Sequence, residues 1–152
     1  ACLIGVSASA GAMAVGASPQ KVALMRRFGE AVGMAFQIQD DILDYTRTAQ
    51  TGKPANNDLR EGKITLPLLA VLDKVPAERR TELLGRLACC HDDEESVEYL
   101  QRTVENEGGL TFAAEVMRSY IARAVEMLSE YEASDYRTAL ANLCAYIAER
   151  DR

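Results

Sequence analysis

Apolar residues recur along this chain at the three- and four-residue spacing of amphipathic helices. The clearest stripe lies in the last third: Leu110, Ala114, Met117, Ile121, Ala124, Leu128 and Tyr131. No stretch shows the sustained apolar and polar alternation that half-buried strands require. The pattern therefore predicts an all-α fold of about six helices.

Ser18 and Pro19 form a good N-cap and first-turn pair, and they predict a long helix that runs to about Tyr45. The helical periodicity is lost over residues 46–63. A loop of this length is more often functional than merely connecting.

Proline, glycine and polar clusters predict the boundaries of the later helices. These helices are expected over residues 65–74, 76–90, 94–105, 110–131 and 136 to the charged tail. A chain reversal is expected at Gly108 and Gly109. The pattern contains no internal repeat and no second-domain linker, so residues 1–152 are predicted to form one all-α unit.

Residues 1–18 are uncharged and rich in Ala, Gly and Ser. This segment lacks the preceding cationic region of a signal peptide, and it is too short and too weakly apolar for a membrane span. Its small residues instead predict close packing against a neighbouring helix.

The charge and the cysteine content of the chain argue against several classes of function. The net charge is −6, which argues against a nucleic-acid-binding surface because phosphate recognition needs a basic face. Four cysteines show neither zinc nor disulfide-framework spacing, which favours a reducing, cytoplasmic setting.

Three aspartates, Asp40, Asp41 and Asp44, crowd one face near the C-terminal end of the long predicted helix. Like charges four residues apart repel, and the helix dipole disfavours negative charge at this end. A bound divalent cation is the simplest compensation. The alternative is a solvated acidic face, which explains less, because such a face would more naturally mix Glu with Lys.

Carboxylates in this arrangement suit Mg²⁺, which takes oxygen ligands and is often shared with substrate phosphates. Lys53 and Lys63 follow in the loop and could meet phosphate oxygens. The residues together predict a site for magnesium and a diphosphate-like anion.

The stretch GMAFQIQDDILDY, residues 33–45, resembles the second aspartate-rich motif of the trans-type polyprenyl diphosphate synthases. The stretch TGKPANNDLREGKITLPLL, residues 51–69, is similar to the segment that follows this motif. The resemblance implies the C-terminal part of the isoprenoid synthase helical bundle. It also implies condensation of an allylic diphosphate with isopentenyl diphosphate, with Mg²⁺ as cofactor and a homodimer as the usual assembly.

The resemblance also implies roles for individual residues. The acids Asp40, Asp41 and Asp44 would be catalytic Mg²⁺ ligands, and Gln37 would face the reacting allylic end. The allylic diphosphate would contact Lys53 and Lys63, Asp58 would hold a lysine or a metal-bound water, and Phe36 would line the chain cavity. The family commonly has a glycine before the aspartate, so Asn57 is expected to adopt the unusual φ at that turn.

The family's first aspartate-rich motif is absent from these 152 residues. The chain is therefore expected to be the C-terminal half of a longer synthase, and to be inactive alone. Two alternatives stay open. One is a non-catalytic regulatory subunit of a heteromeric prenyl synthase, and the other is a class I terpene cyclase.

Overall fold

The computed structural model describes residues 1–46 and 56–150. Every regular element within these residues is helical, which confirms the all-α prediction. The elements are α1 (Cys2–Ala14), α2 (Pro19–Thr46), α3 (Asn57–Arg60), α4 (Leu66–Lys74), α5 (Ala77–Cys89), α6 (Glu94–Asn106), α7 (Gly109–Leu128) and α8 (Asp135–Glu149). The described residues thus contain more helices than predicted, and the single turn α3 lies inside the segment that was expected to be a loop.

Local signals fix where the helices begin. The Ser18 carbonyl accepts the first α2 hydrogen bond, from the Val22 N–H at 2.9 Å. The Ser18 hydroxyl lies 3.4 Å from the Lys21 nitrogen, as an N-cap requires. Gly108 ends the turn before α7. Its φ is +76°, a backbone conformation that glycine adopts without a steric penalty.

The chain forms two compact units. The first unit comprises Ala1–Gln39 and Glu115–Arg152, and the second comprises Asp40–Ala114. A single unit over residues 1–152 stays a prediction.

In the first unit, α1 packs on α2 through glycines. A Cβ atom added to Gly29 would lie 2.6 Å from the Ile4 carbonyl oxygen, which is closer than real contacts allow. Gly5 and Gly33 are similarly restricted, Gly5 by the Glu30 side chain and the Arg26 carbonyl, and Gly33 by Ala1. The predicted close packing of the small-residue segment is therefore confirmed.

Within the described ranges, none of the helices is long and apolar enough to cross a membrane.

The core of the second unit joins the end of α2 to α3, α4, α5 and α6. It consists of Tyr45, Leu59, Leu68, Val71, Leu72, Leu83, Leu87, Cys90, Val97, Leu100 and Val104. Tyr45 and Leu59 are both fully buried; Tyr45 immediately precedes the segment over residues 46–63 that was predicted to carry function, and Leu59 lies within it. The core thus fixes the last turn of α2 beside α3.

Candidate functional site

The three aspartates occupy the last two turns of α2. Asp40 and Asp41 are half-buried, whereas Asp44 is only 6% exposed. The deeper position of Asp44 means that its charge needs a partner inside the protein. The two other carboxylates keep access to solvent.

The Asp44 carboxylate accepts hydrogen bonds from the residues that open α3. Its Oδ2 atom accepts from the Asp58 N–H at 2.9 Å, and its Oδ1 atom lies 3.4 Å from the Asn57 side-chain nitrogen. The Asp44 carbonyl also accepts from the Asn56 N–H at 2.9 Å. Because N–H groups in the first turn of a helix attract anions, α3 stabilises the Asp44 charge. Asp44 therefore joins α2 to the segment that begins at residue 56.

Asn56 has φ 60° and ψ 35° and lies in the left-handed region. The prediction that Asn57 takes the unusual φ is therefore wrong by one residue, because Asn57 is the first residue of α3. Asn56 is buried, and its side-chain amide donates to the Gln101 Oε1 atom at 2.8 Å. The turn is thus held by a side chain of α6.

Lys63 lies beside two carboxylates. Its ammonium is 3.2 Å from the Asp58 Oδ1 atom and also pairs with Glu61. The hydrogen bond to Glu61, followed by that to Asp58, raises the pKa of Lys63. The Lys63 side chain is 55% exposed, so the cation keeps access to solvent. Lys53 lies outside the described residues.

The Tyr45 side chain is completely buried in the hydrophobic core of the second unit. Burial is the largest cause that raises the pKa of its hydroxyl, the Thr65 hydroxyl opposes the shift, and the carboxylates of Asp58, Asp44 and Asp41 add to it. The phenol therefore stays neutral. The three carboxylates that act on it belong to the predicted site.

Phe36 and Gln37 belong to the first unit. The Arg150 guanidinium lies 4.4 Å from the centroid of the Phe36 ring, and the Arg150 carbonyl accepts from the Gln39 side-chain nitrogen at 2.7 Å. Gln37 is exposed on α2. Among the predicted site residues, Phe36 and Gln37 lie in the first unit. The second unit contains Asp40, Asp41, Asp44, Asp58 and Lys63.

The described residues contain no group of three His, Cys, Asp or Glu side chains arranged to hold a metal ion. Magnesium does not require such a cage, because it is commonly bound by one or two carboxylates together with substrate phosphates. Asp40 and Asp41 supply oxygen donors that keep access to solvent. This open carboxylate set fits a hard cation that is shared with a phosphate ligand.

Sequence reasoning missed Asn56, Gln101 and Arg150. One signal for Gln101 was available, because it stands four residues after the buried Val97 and so falls on the core side of α6. A polar residue at that position requires a polar partner in the core.

Residues 1–106 match the family model described as polyprenyl synthetase. The chain is 35% identical to the short chain isoprenyl diphosphate synthase of Methanothermobacter thermautotrophicus, over 99% of this chain and 46% of that protein. It is 34% identical to the heptaprenyl diphosphate synthase component 2 of Geobacillus stearothermophilus, again over 99% of this chain and 46% of that protein.

Among solved structures, the chain resembles a polyprenyl synthase from Caulobacter crescentus complexed with calcium and isoprenyl diphosphate. The TM-score is 0.86 at 32% identity, and the match covers 99% of this chain and 46% of the other. The chain thus spans about half the length of the curated relatives it matches.

Proposed function

Because the chain belongs to the polyprenyl synthetase family, we propose that its protein is a prenyltransferase that extends an allylic diphosphate with isopentenyl diphosphate. One observation carries the proposal. The matched residues fold so that Asp40, Asp41, Asp44 and Asp58 lie in one compact unit with Lys63. The Caulobacter crescentus relative, which holds calcium and isoprenyl diphosphate, supports a cation-assisted diphosphate site.

Asp40, Asp41 and Asp44 would hold the magnesium ion in this proposal. When bound, magnesium would neutralise the charge that develops on the departing diphosphate. Asp44 would combine this role with its hydrogen bonds to α3, since a carboxylate offers about four lone-pair sites. The half-buried Asp40 and Asp41 are more accessible to a ligand than the buried Asp44.

The cationic groups would stabilise the same leaving group. Lys63 is protonated through the neutral pH range as lysines ordinarily are, and its paired carboxylates raise its pKa further. It can therefore donate charge-assisted hydrogen bonds to phosphate oxygens. Asp58 would orient Lys63, and Lys53 would be a second diphosphate contact.

The proposed reaction begins when the allylic carbon–oxygen bond breaks and its electron pair leaves with diphosphate. The double bond of isopentenyl diphosphate attacks the allylic carbon, and a proton is lost from the new adduct. Gln37 would face the allylic end, and Phe36 would form part of an apolar wall that excludes water.

A second candidate is a component of a multi-component synthase. The Geobacillus stearothermophilus relative bears the name component 2, and its match covers 99% of this chain. In this candidate the protein would elongate prenyl chains only with a second component. A homodimer is the assembly that we propose for the first candidate.

The complete natural protein should be assayed with Mg²⁺, isopentenyl diphosphate and farnesyl diphosphate. Asp40→Ala is expected to lower turnover by about 10²–10³-fold, the usual loss on removing a preorganised electrostatic group. Helix content, measured by circular dichroism, should stay unchanged. Asp73→Ala removes an exposed aspartate from α4 and serves as the matched control, with wild-type turnover expected.

Near-normal turnover in Asp40→Ala would contradict the metal role. Elongation that requires an added partner protein would favour the component candidate. Consumption of farnesyl diphosphate without isopentenyl diphosphate, yielding a cyclic hydrocarbon, would indicate a terpene cyclase instead.

A further inference from the structure

Gln101 on α6 forms hydrogen bonds to the end of α2 and to the residue that precedes α3. Both lie close in sequence to the acidic motif, by which we mean Asp40, Asp41, Asp44 and Asp58. Its Nε2 atom donates to the Tyr45 carbonyl at 3.0 Å. Its Oε1 atom accepts from the Asn56 side-chain nitrogen at 2.8 Å. One amide thus connects the end of α2 to the residue that precedes α3.

These contacts require an amide at position 101. Tyr45 lies in the last turn of α2, where carbonyl groups lack a helical partner and need an external donor. The buried Asn56 amide needs an acceptor at the same place. Glu105 accepts a further hydrogen bond from the Gln101 Nε2 atom at 3.2 Å, which fixes the orientation of the amide.

The bonds made by Gln101 continue into the acidic motif. Asn56 donates its backbone N–H to the Asp44 carbonyl, and the Asp44 carboxylate accepts from the Asp58 N–H. Asp58 in turn pairs with the Lys63 ammonium. Loss of the Gln101 amide would therefore release the turn that sets the distance between the Asp44 and Asp58 carboxylates.

We propose that Gln101 is a positioning residue that preorganises the carboxylates of this motif for a divalent cation and its phosphate ligand. The inference rests on the proposed function, since it assigns the cation site to the same acids. Residues that orient the ligands of a metal site typically change its affinity when they are substituted. Gln101 itself lies among the half-buried residues of α6 and bonds to the chain around the acids.

The test uses the complete natural protein with Gln101→Met, which keeps the side-chain length but removes the three hydrogen bonds of the amide. Mn²⁺ binding, followed by electron paramagnetic resonance, reports on the metal site without catalysis. The dissociation constant for Mn²⁺ and the KM for the allylic diphosphate should each rise about tenfold. The value of kcat at saturating metal and substrate should stay within about twofold, because no reacting group is removed.

The control is Asp93→Ala, which removes the N-cap at the opposite end of α6. It weakens the same helix without touching Tyr45 or Asn56, so Mn²⁺ binding should stay at the wild-type value. Amide hydrogen exchange at Asn56 and Asp58 should accelerate only in Gln101→Met.

Unchanged Mn²⁺ binding in Gln101→Met would overturn the inference, and so would an equal loss in Asp93→Ala. The proposed function has a separate readout. A wild-type protein that transfers no prenyl group, while Gln101→Met still weakens Mn²⁺ binding, would refute the transferase and leave the positioning role supported.

Discussion

Asp44→Ala should destabilise the protein even when no metal is present. The substitution removes the carboxylate that accepts the Asp58 N–H at 2.9 Å and approaches the Asn57 amide at 3.4 Å. Asp44 is only 6% exposed, so water cannot readily replace the lost acceptor. The effect is therefore on folding and does not depend on catalysis.

The magnitude follows from these two contacts. A hydrogen bond to a charged group contributes about 1.5–3 kcal/mol, and the longer contact to Asn57 adds less than about 1 kcal/mol. Asp44→Ala should thus lower the free energy of unfolding by about 2–4 kcal/mol. Asp44→Asn retains one acceptor oxygen for the Asp58 N–H, so its loss should be about half as large.

Urea denaturation in the presence of a chelator, followed by circular dichroism, measures the effect without magnesium. Asp73→Ala is the matched control, because Asp73 is an exposed aspartate on α4 and should change stability by less than about 0.5 kcal/mol. Equal unfolding midpoints for Asp44→Ala and the wild type would refute the reasoning. A difference in stability between Asp44→Ala and the wild type that appears only when magnesium is added would mean that Asp44 acts only as a metal ligand.

Two further predictions concern packing and capping. Gly29→Ala should destabilise the protein by about 1–3 kcal/mol, since the new Cβ would meet the Ile4 carbonyl oxygen. Gly85→Ala in α5 is the control: its new Cβ meets nothing within 4 Å, so the substitution should stabilise the protein by up to about 1 kcal/mol. Equal effects of the two substitutions in urea denaturation would contradict this packing. The hydrogen bond from the Ser96 hydroxyl is the main cause that lowers the pKa of Asp93. The ionised Asp93 carboxylate therefore contributes its full stabilisation above the ordinary aspartate pKa, and this contribution is lost as the pH falls through the lowered pKa. The difference in free energy of unfolding between the wild type and Asp93→Asn, measured by urea denaturation, should thus become smaller only under acidic conditions.

Helix boundaries were predictable because their signals are local. Ser18 and Pro19 mark the start of α2, and Gly108 marks the turn before α7. The small residues of α1 also predicted tight packing, although their partners on α2 did not follow from the sequence. A glycine such as Gly29 is restricted by Ile4 only after two helices have met.

The connections around the acidic motif could not be predicted in the same way. The family resemblance assigned the left-handed turn to Asn57, but the hydrogen bond from the Asn56 N–H to the Asp44 carbonyl places it one residue earlier. Gln101 is more than forty residues away along the chain, and only the packing of α6 against α3 brings it to the turn. Local propensity carries no information about such a contact.

The structure changes the electrostatic reasoning about the three aspartates. Negative charge near the C-terminal end of a helix predicted a cation as compensation. For Asp44 two partners are already present in the protein, because the Asp58 N–H and the Asn57 side-chain amide donate to its carboxylate. Asp40 and Asp41 are half-buried and keep access to solvent, so an external cation can reach them more directly than it can reach Asp44. Under the proposed function, substitutions at all three residues should lower metal affinity, and those at Asp44 should also lower stability, because its carboxylate accepts hydrogen bonds from Asp58 and Asn57.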